Sequence, residues 1–157
     1  SQDDIKAVRD LLSGQGKRVV CGGTTANIVA RILNKKVETS LDYTDPSLPP
    51  IGRIKGIDLV TEGVLTMTRA VSLLKRYNNN QVDEKFFDEL DMENGGSMVA
   101  KIIIEECTNL KILVGKAINE AHQNPGLPFD LSIRMNLIEE LKSEVEKMGK
   151  SVLVEYY

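Results

Sequence analysis

The run Lys17-Arg18-Val19-Val20-Cys21-Gly22-Gly23-Thr24-Thr25-Ala26-Asn27-Ile28-Val29-Ala30-Arg31-Ile32-Leu33 decides how this chain is read. Its opening five residues end in a β-branched apolar pair and a cysteine, which suits a short buried strand. Two glycines then permit a sharp reversal with the backbone exposed. Behind them Ala26, Ile28, Val29, Ile32 and Leu33 recur at the spacing of one helix face. The segment is therefore strand, glycine turn, helix.

The pattern returns downstream. Ile57-Asp58-Leu59-Val60-Thr61 passes through Glu62-Gly63 into a helix carrying Leu65, Ala70, Val71, Leu73 and Leu74. Before the first strand, Ile5, Val8, Leu11 and Leu12 mark a helix over residues 3–12 that Gly14 and Gly16 close. Val37 to Leu41 alternates as a second short strand. Residues 42–56, with Pro46, Pro49, Pro50, Gly52 and Gly56, read as a long surface loop. After the break at Asn78-Asn79-Asn80, residues 82–91 form an acidic amphipathic piece with Phe86, Phe87 and Leu90 on one side. Gly95-Gly96-Ser97 opens a further helix, with Ser97 as the expected cap. Leu110 to Val114 has the composition of a strand buried on both faces. Leu131 to Met148 is the longest helix, Gly149 caps it, and Ser151 to Tyr157 is a last strand. Strands alternating with helices predict an α/β fold over residues 1–157: one three-layer Rossmann-like domain with a mainly parallel sheet of about five strands.

Composition narrows the function classes. The 157 residues carry 20 Lys+Arg against 23 Asp+Glu, a net charge of −3, with no massed basic face to follow a phosphate backbone. Aromatic residues are 4% of the chain and Trp is absent, so stacking platforms for single strands are lacking. Nucleic acid is not an expected partner. Neither is a membrane, because no apolar stretch approaches the roughly 18 residues that a spanning helix needs. Cys21 and Cys107 lie in apolar segments without Cys-x-x-Cys spacing, as buried thiols of a reducing compartment do. The acidic start Ser1-Gln2-Asp3-Asp4 is unlike a signal peptide, so a cytoplasmic location is expected. The missing initial Met points to processing or to excision from a longer protein.

In open parallel sheets ligands bind beyond the carboxyl ends of the strands, so the residues there are the candidates. The first strand ends in Gly22, Gly23, Thr24 and Thr25, where a helix amino terminus offers N–H groups to an anion. The third ends in Thr61, Glu62 and Gly63. The fourth ends in Gly115 and Lys116, followed by Asn119, His122, Gln123 and Asn124 in one polar loop. These three groups are expected to converge on a ligand. Each has a plainer reading too: a tight turn with a threonine cap, a first-turn carboxylate serving its own helix, a loop anchored by its one histidine. Lys116 suits a phosphate or plain solvent. No metal site is expected, since one His and two separated Cys cannot build zinc spacing and Asp83, Glu84, Asp88, Glu89, Asp91 and Glu93 are spaced as a solvated face. No Gly-x-Ser-x-Gly elbow marks a nucleophile.

Residues 19–31 (Val-Val-Cys-Gly-Gly-Thr-Thr-Ala-Asn-Ile-Val-Ala-Arg), 56–66 (Gly-Ile-Asp-Leu-Val-Thr-Glu-Gly-Val-Leu-Thr) and 114–125 (Val-Gly-Lys-Ala-Ile-Asn-Glu-Ala-His-Gln-Asn-Pro) resemble the C-terminal region of bacterial serine phosphatases of the SpoIIE type, in the metal-dependent PPM class. The similarity runs in order over nearly the whole chain, including Leu48-Pro49-Pro50 and the final helix and strand. The resemblance implies a phosphatase domain upstream, where Asp-Gly pairs hold two divalent metals. This chain has no Asp-Gly pair. It is therefore expected to be the accessory domain, with no cofactor of its own and with its own phosphatase domain as a partner.

Three functions follow from these residues. The first is a non-catalytic regulatory domain that binds a small anionic ligand or its phosphatase domain. The second is a small-molecule enzyme on a phosphorylated substrate, with Glu62 as base and His122 as acid. The third is a structural assembly module, as in a homo-oligomer, that uses Phe86 and Phe87 to cover a neighbouring surface.

Overall fold

The computed structural model describes residues 1–39, 51–115 and 129–157. Its elements in order are α1 (Gln2–Ser13), β1 (Val19–Cys21), α2 (Gly23–Ile32), β2 (Glu38–Thr39), β3 (Gly52–Arg53), β4 (Leu59–Thr61), α3 (Val64–Asn78), α4 (Glu84–Leu90), α5 (Gly95–Glu106), β5 (Asn109–Val114), α6 (Phe129–Lys147) and β6 (Ser151–Tyr156). Both strand-glycine-helix units form where the apolar spacing places them. Among the described residues no helix is long and apolar enough to cross a membrane.

The single, mainly parallel, five-stranded sheet does not form. One sheet is mixed, with strand order β1-β4-β3-β2, and a second holds only β5 and β6. The parallel pairs are β1 with β4, in the register Val19↔Leu59, Val20↔Val60 and Cys21↔Thr61, and β5 with β6. The edge of β4 away from β1 is taken by β3, which runs antiparallel to it at Gly52↔Val60 and antiparallel to β2. With β1 on one edge and β3 on the other, β4 has no edge left for β5. The stretch read as loop thus supplies the strand that closes the first sheet. The last strand pair is also not buried on both faces: burial alternates along β5, and only Val114 is fully buried.

Two apolar clusters form. Val8 of α1, Val20, Ala26, Val29, Ala30, Ile54 and Val60 pack around the mixed sheet. Ala70, Val71, Leu73, Leu74, Phe86, Leu90, Ala100, Ile103, Leu141 and Val145 pack between α3, α4, α5 and α6, with Leu110, Ile112 and Val152 of the second sheet against them. Phe86 and Phe87 part company here. Phe86 is at the centre of the helical cluster, whereas Phe87 is 51% exposed.

Helix directions can be read from contacts. Gly95 at the start of α5 meets Thr61 at the end of β4, and Glu106 at its end pairs with Lys17, at 3.5 Å, just before β1. Hence α5 runs back against the direction of β1 and β4. Lys75 meets Glu140 at 3.5 Å and Asn78 donates to the Glu144 carbonyl at 2.9 Å, so α3 and α6 run parallel.

Two polar devices hold this half together. The Lys150 ammonium donates to the carbonyls of Ile103 (2.5 Å), Ile104 (3.1 Å) and Cys107 (2.6 Å), neutralising the carboxyl end of α5. Lys150→Met is expected to cost about 1.5–3 kcal/mol, the range for hydrogen bonds to a charged group, measured as a lower urea midpoint at unchanged slope. Glu144, 4% exposed, accepts from Asn78 and, at 2.9 Å, from Lys147. Burial alone would raise its pKa, but these donors together outweigh burial and hold the carboxyl below its usual range. A depressed folded value means stability that is present above the ordinary glutamate range and is lost as pH falls through the folded value. Melting temperature followed from neutral into acid should therefore fall less steeply in Glu144→Gln than in the parent chain, and identical profiles would refute the linkage.

Candidate functional site

Because β1 and β4 are parallel neighbours in register, the residues that follow them emerge side by side. The Gly22 N–H donates to the Thr61 carbonyl at 2.8 Å, extending the ladder one step past Cys21. Gly22 then turns with φ 118°, a conformation that side chains rarely adopt. A Cβ on Gly63 would lie 3.5 Å from the Gly22 Cα, so the two glycine turns are in contact. The first helical bond of α2 is Ala26 N–H to Gly22 carbonyl at 2.8 Å, and its N-cap residue, Gly22, has no side chain to offer. Gly23, Thr24 and Thr25 lie exposed on its first turn. Gly22, Gly23, Thr24, Thr25, Glu62 and Gly63 are thus gathered on one rim.

Glu62 has a structural task there. Its Oε2 accepts from the Leu65 N–H at 3.0 Å, which caps the start of α3. Cys21 sits beneath the rim, where burial raises the thiol pKa, the hydrogen bond with Thr61 pulls it down and the Glu62 charge pushes it up; the net direction is upward. The thiol stays protonated and serves packing.

Of the third predicted group only Gly115 is among the described residues. Gly115 is exposed at the end of β5, which belongs to the other sheet, and nothing lies within 4 Å of where its Cβ would be. Lys116, Asn119, His122, Gln123 and Asn124 lie outside the described residues.

Residues that the sequence reading passed over crowd the same end of β4. Asn94, not Ser97, caps α5: its Oδ1 accepts the Ser97 N–H at 2.9 Å. Thr61, Thr66, Asn94 and Ser97 are all buried, and among the described residues only Glu144 is a further buried polar side chain. They cluster because a Cβ on Gly95 would lie 2.8 Å from Thr61 Cγ2 and 3.0 Å from Thr66 Oγ1. Asn in Asn94-Gly95-Gly96-Ser97 is itself a preferred cap, and that was the signal available in the sequence.

An open depression of about 640 Å³ lies at the other end of the strands, lined by Leu12, Gly14, Arg18, Gly56 and Asp58 among others. Its two charged side chains already have partners. The Arg18 guanidinium donates to the carbonyls of Leu12 (2.8 Å) and Gly56 (3.2 Å), and Asp58 accepts the Arg18 N–H at 2.7 Å. These bonds anchor the α1–β1 connection, so the depression is a by-product of that joint. Among the described residues no group of three or more His, Cys, Asp or Glu side chains could hold a metal ion.

The rim makes a paired prediction. Gly22→Ala forces a side chain into φ 118° and should cost about 1–3 kcal/mol. Gly23→Ala, with nothing within 4 Å of the new methyl, should be neutral or stabilising by up to about 1 kcal/mol. Thermal denaturation of the two variants checks this, and equal losses would contradict the turn geometry. No family model, curated protein or solved structure matches the chain.

Proposed function

We propose that this chain is a non-catalytic regulatory domain of a SpoIIE-type serine/threonine phosphatase, acting in the cytoplasm, and that it binds a small anionic ligand on the rim where α2 and α3 begin. The observation that carries this reading is the contact of the Gly22 and Gly63 turns, which opens α2 on an exposed first turn with glycine at its N-cap. A helix amino terminus bears roughly half a positive charge and directs N–H groups outward, so it favours a phosphate or carboxylate. The two segments forming the rim are also two of the three that resemble the phosphatase family. Divalent metal would belong to the phosphatase domain.

Two features speak for a binding role over turnover. Glu62, the base of the enzyme alternative, is engaged by the Leu65 N–H, and Cys21 is held as a thiol. Contact with the phosphatase domain is a second reading of the same rim, favoured by Leu65, which is 60% exposed beside Glu62. The two readings combine if ligand occupancy of the α2 turn changes how that domain seats on Leu65.

Thermal shift against nucleotides, sugar phosphates and small carboxylates tests the ligand reading, since a ligand at 100 times its dissociation constant adds about 2.7 kcal/mol. Gly23→Val should keep the fold, having open space for its side chain, and remove the shift. No shift with any of these compounds would set the ligand reading aside. Retention of the shift in the variant would move the site off α2.

A further inference from the structure

We propose a second oxyanion site, at the amino terminus of α5, made by Arg69, Asn94, Gly95 and Gly96. It is separate from the α2 turn and stands or falls without it.

The first observation is an orphaned donor. Asn94 is 5% exposed, its Oδ1 is fixed on the Ser97 N–H, and its Nδ2 is buried without a hydrogen-bond partner. The orientation is set by the helix, because the Ser97 N–H needs an acceptor. A planar amide anchored in this way holds Nδ2 beside the same turn. Buried donors are almost always satisfied, so one that is not calls for an acceptor.

A second observation comes from α3. Arg69 is only partly exposed, and its side chain runs along Gly96, where a Cβ would lie 2.6 Å from Arg69 Cβ. Its Nε reaches Ser97 Oγ at 3.5 Å and one terminal nitrogen reaches Met92 Sδ at 3.7 Å, both weak contacts. Among the described residues it has no carboxylate partner, whereas Arg76 pairs with Glu89, Lys75 with Glu140 and Lys101 with Asp91. An unpaired guanidinium held against a helix amino terminus presents a fork that matches phosphate or carboxylate.

The backbone supplies the rest. The Ser97 and Met98 N–H groups are taken by Asn94, which leaves those of Gly95 and Gly96, both buried residues, as the remaining donors of the first turn. The Arg69 guanidinium, the Asn94 Nδ2 and the two glycine N–H groups are all donors. Met92, 45% exposed and touching the guanidinium, marks the side from which solvent and a ligand approach. The shared chemistry is an oxyanion with several acceptor oxygens.

The test is a ¹⁵N-correlation titration of the whole chain with sodium phosphate, and in parallel with sodium acetate, at constant ionic strength. Saturable movement of the Gly95 and Gly96 amides and of the Asn94 side-chain amide is expected. Saturation by phosphate alone assigns a phosphate ligand, by acetate alone a carboxylate, and by both a general oxyanion site. Asn94→Asp keeps a capping oxygen but has an acceptor in place of the amide donor, and Arg69→Gln lacks the charge; each should bind roughly tenfold to a hundredfold more weakly. The dispersion of the same spectra reports whether each variant is folded. Failure of both anions to saturate these amides, parent-like binding by folded variants, or movement confined to residues 23–25 would overturn the proposal.

Discussion

The close approach of α3 and α5 is the constraint on which this structure depends. Two glycines at the start of α5 lie where any side chain would collide with Thr61, Thr66 or the stem of Arg69. Below them the contact continues through small and then larger apolar residues, Ala70 and Leu73 on one helix and Ala100 and Ile103 on the other. Two helix axes that meet so closely at one end bring their amino termini together at the carboxyl end of β4. They also fix the course of α5 back toward Lys17, which determines where β5 starts. The side chains enclosed at the crossing must then be small and hydrogen-bonded, and Thr61 and Ser97 meet that condition by donating to the Glu62 carbonyl and receiving Arg69.

The two apolar clusters are joined by polar contacts at the periphery. The Tyr157 phenol bonds to both Asp10 and Glu155, and Lys6 lies over its ring at 5.9 Å, so α1 is tied to the end of β6. Burial, with the hydrogen bonds to the two carboxylates and their charges, pushes the phenol well above its ordinary pKa, which keeps the donor proton in place. Lys150 performs a comparable service between α5 and β6. A two-stranded parallel sheet has little stability alone. Here it is held by the helices on its apolar face and by these ties at its ends.

The same economy explains the rim. Parallel pairing of β1 and β4 delivers two helix starts side by side, and they begin differently: α3 receives the carboxylate of Glu62, whereas α2 starts on Gly22. That asymmetry sets an exposed helix start on glycine beside one that holds a carboxylate.

Local patterning in the sequence determined a good deal. Apolar residues at helical spacing placed α1, α2, α3 and α6, since a helix face must be buried whatever it packs against. Gly22-Gly23 and Glu62-Gly63 marked the two turns, and at Gly22 the φ of 118° is one that few residue types tolerate. Which strand takes which edge was a tertiary decision. The two residues of β3 carry no strand signature, yet they take the edge of β4 away from β1, while β5 pairs with β6 in a separate sheet. Asn94 shows the same limit on a single residue: its capping preference is local, but its burial beside Arg69 and Thr61 depends on a helix crossing that no spacing rule encodes. Sequence periodicity tells each segment which face to hide, and only the packed chain decides from what.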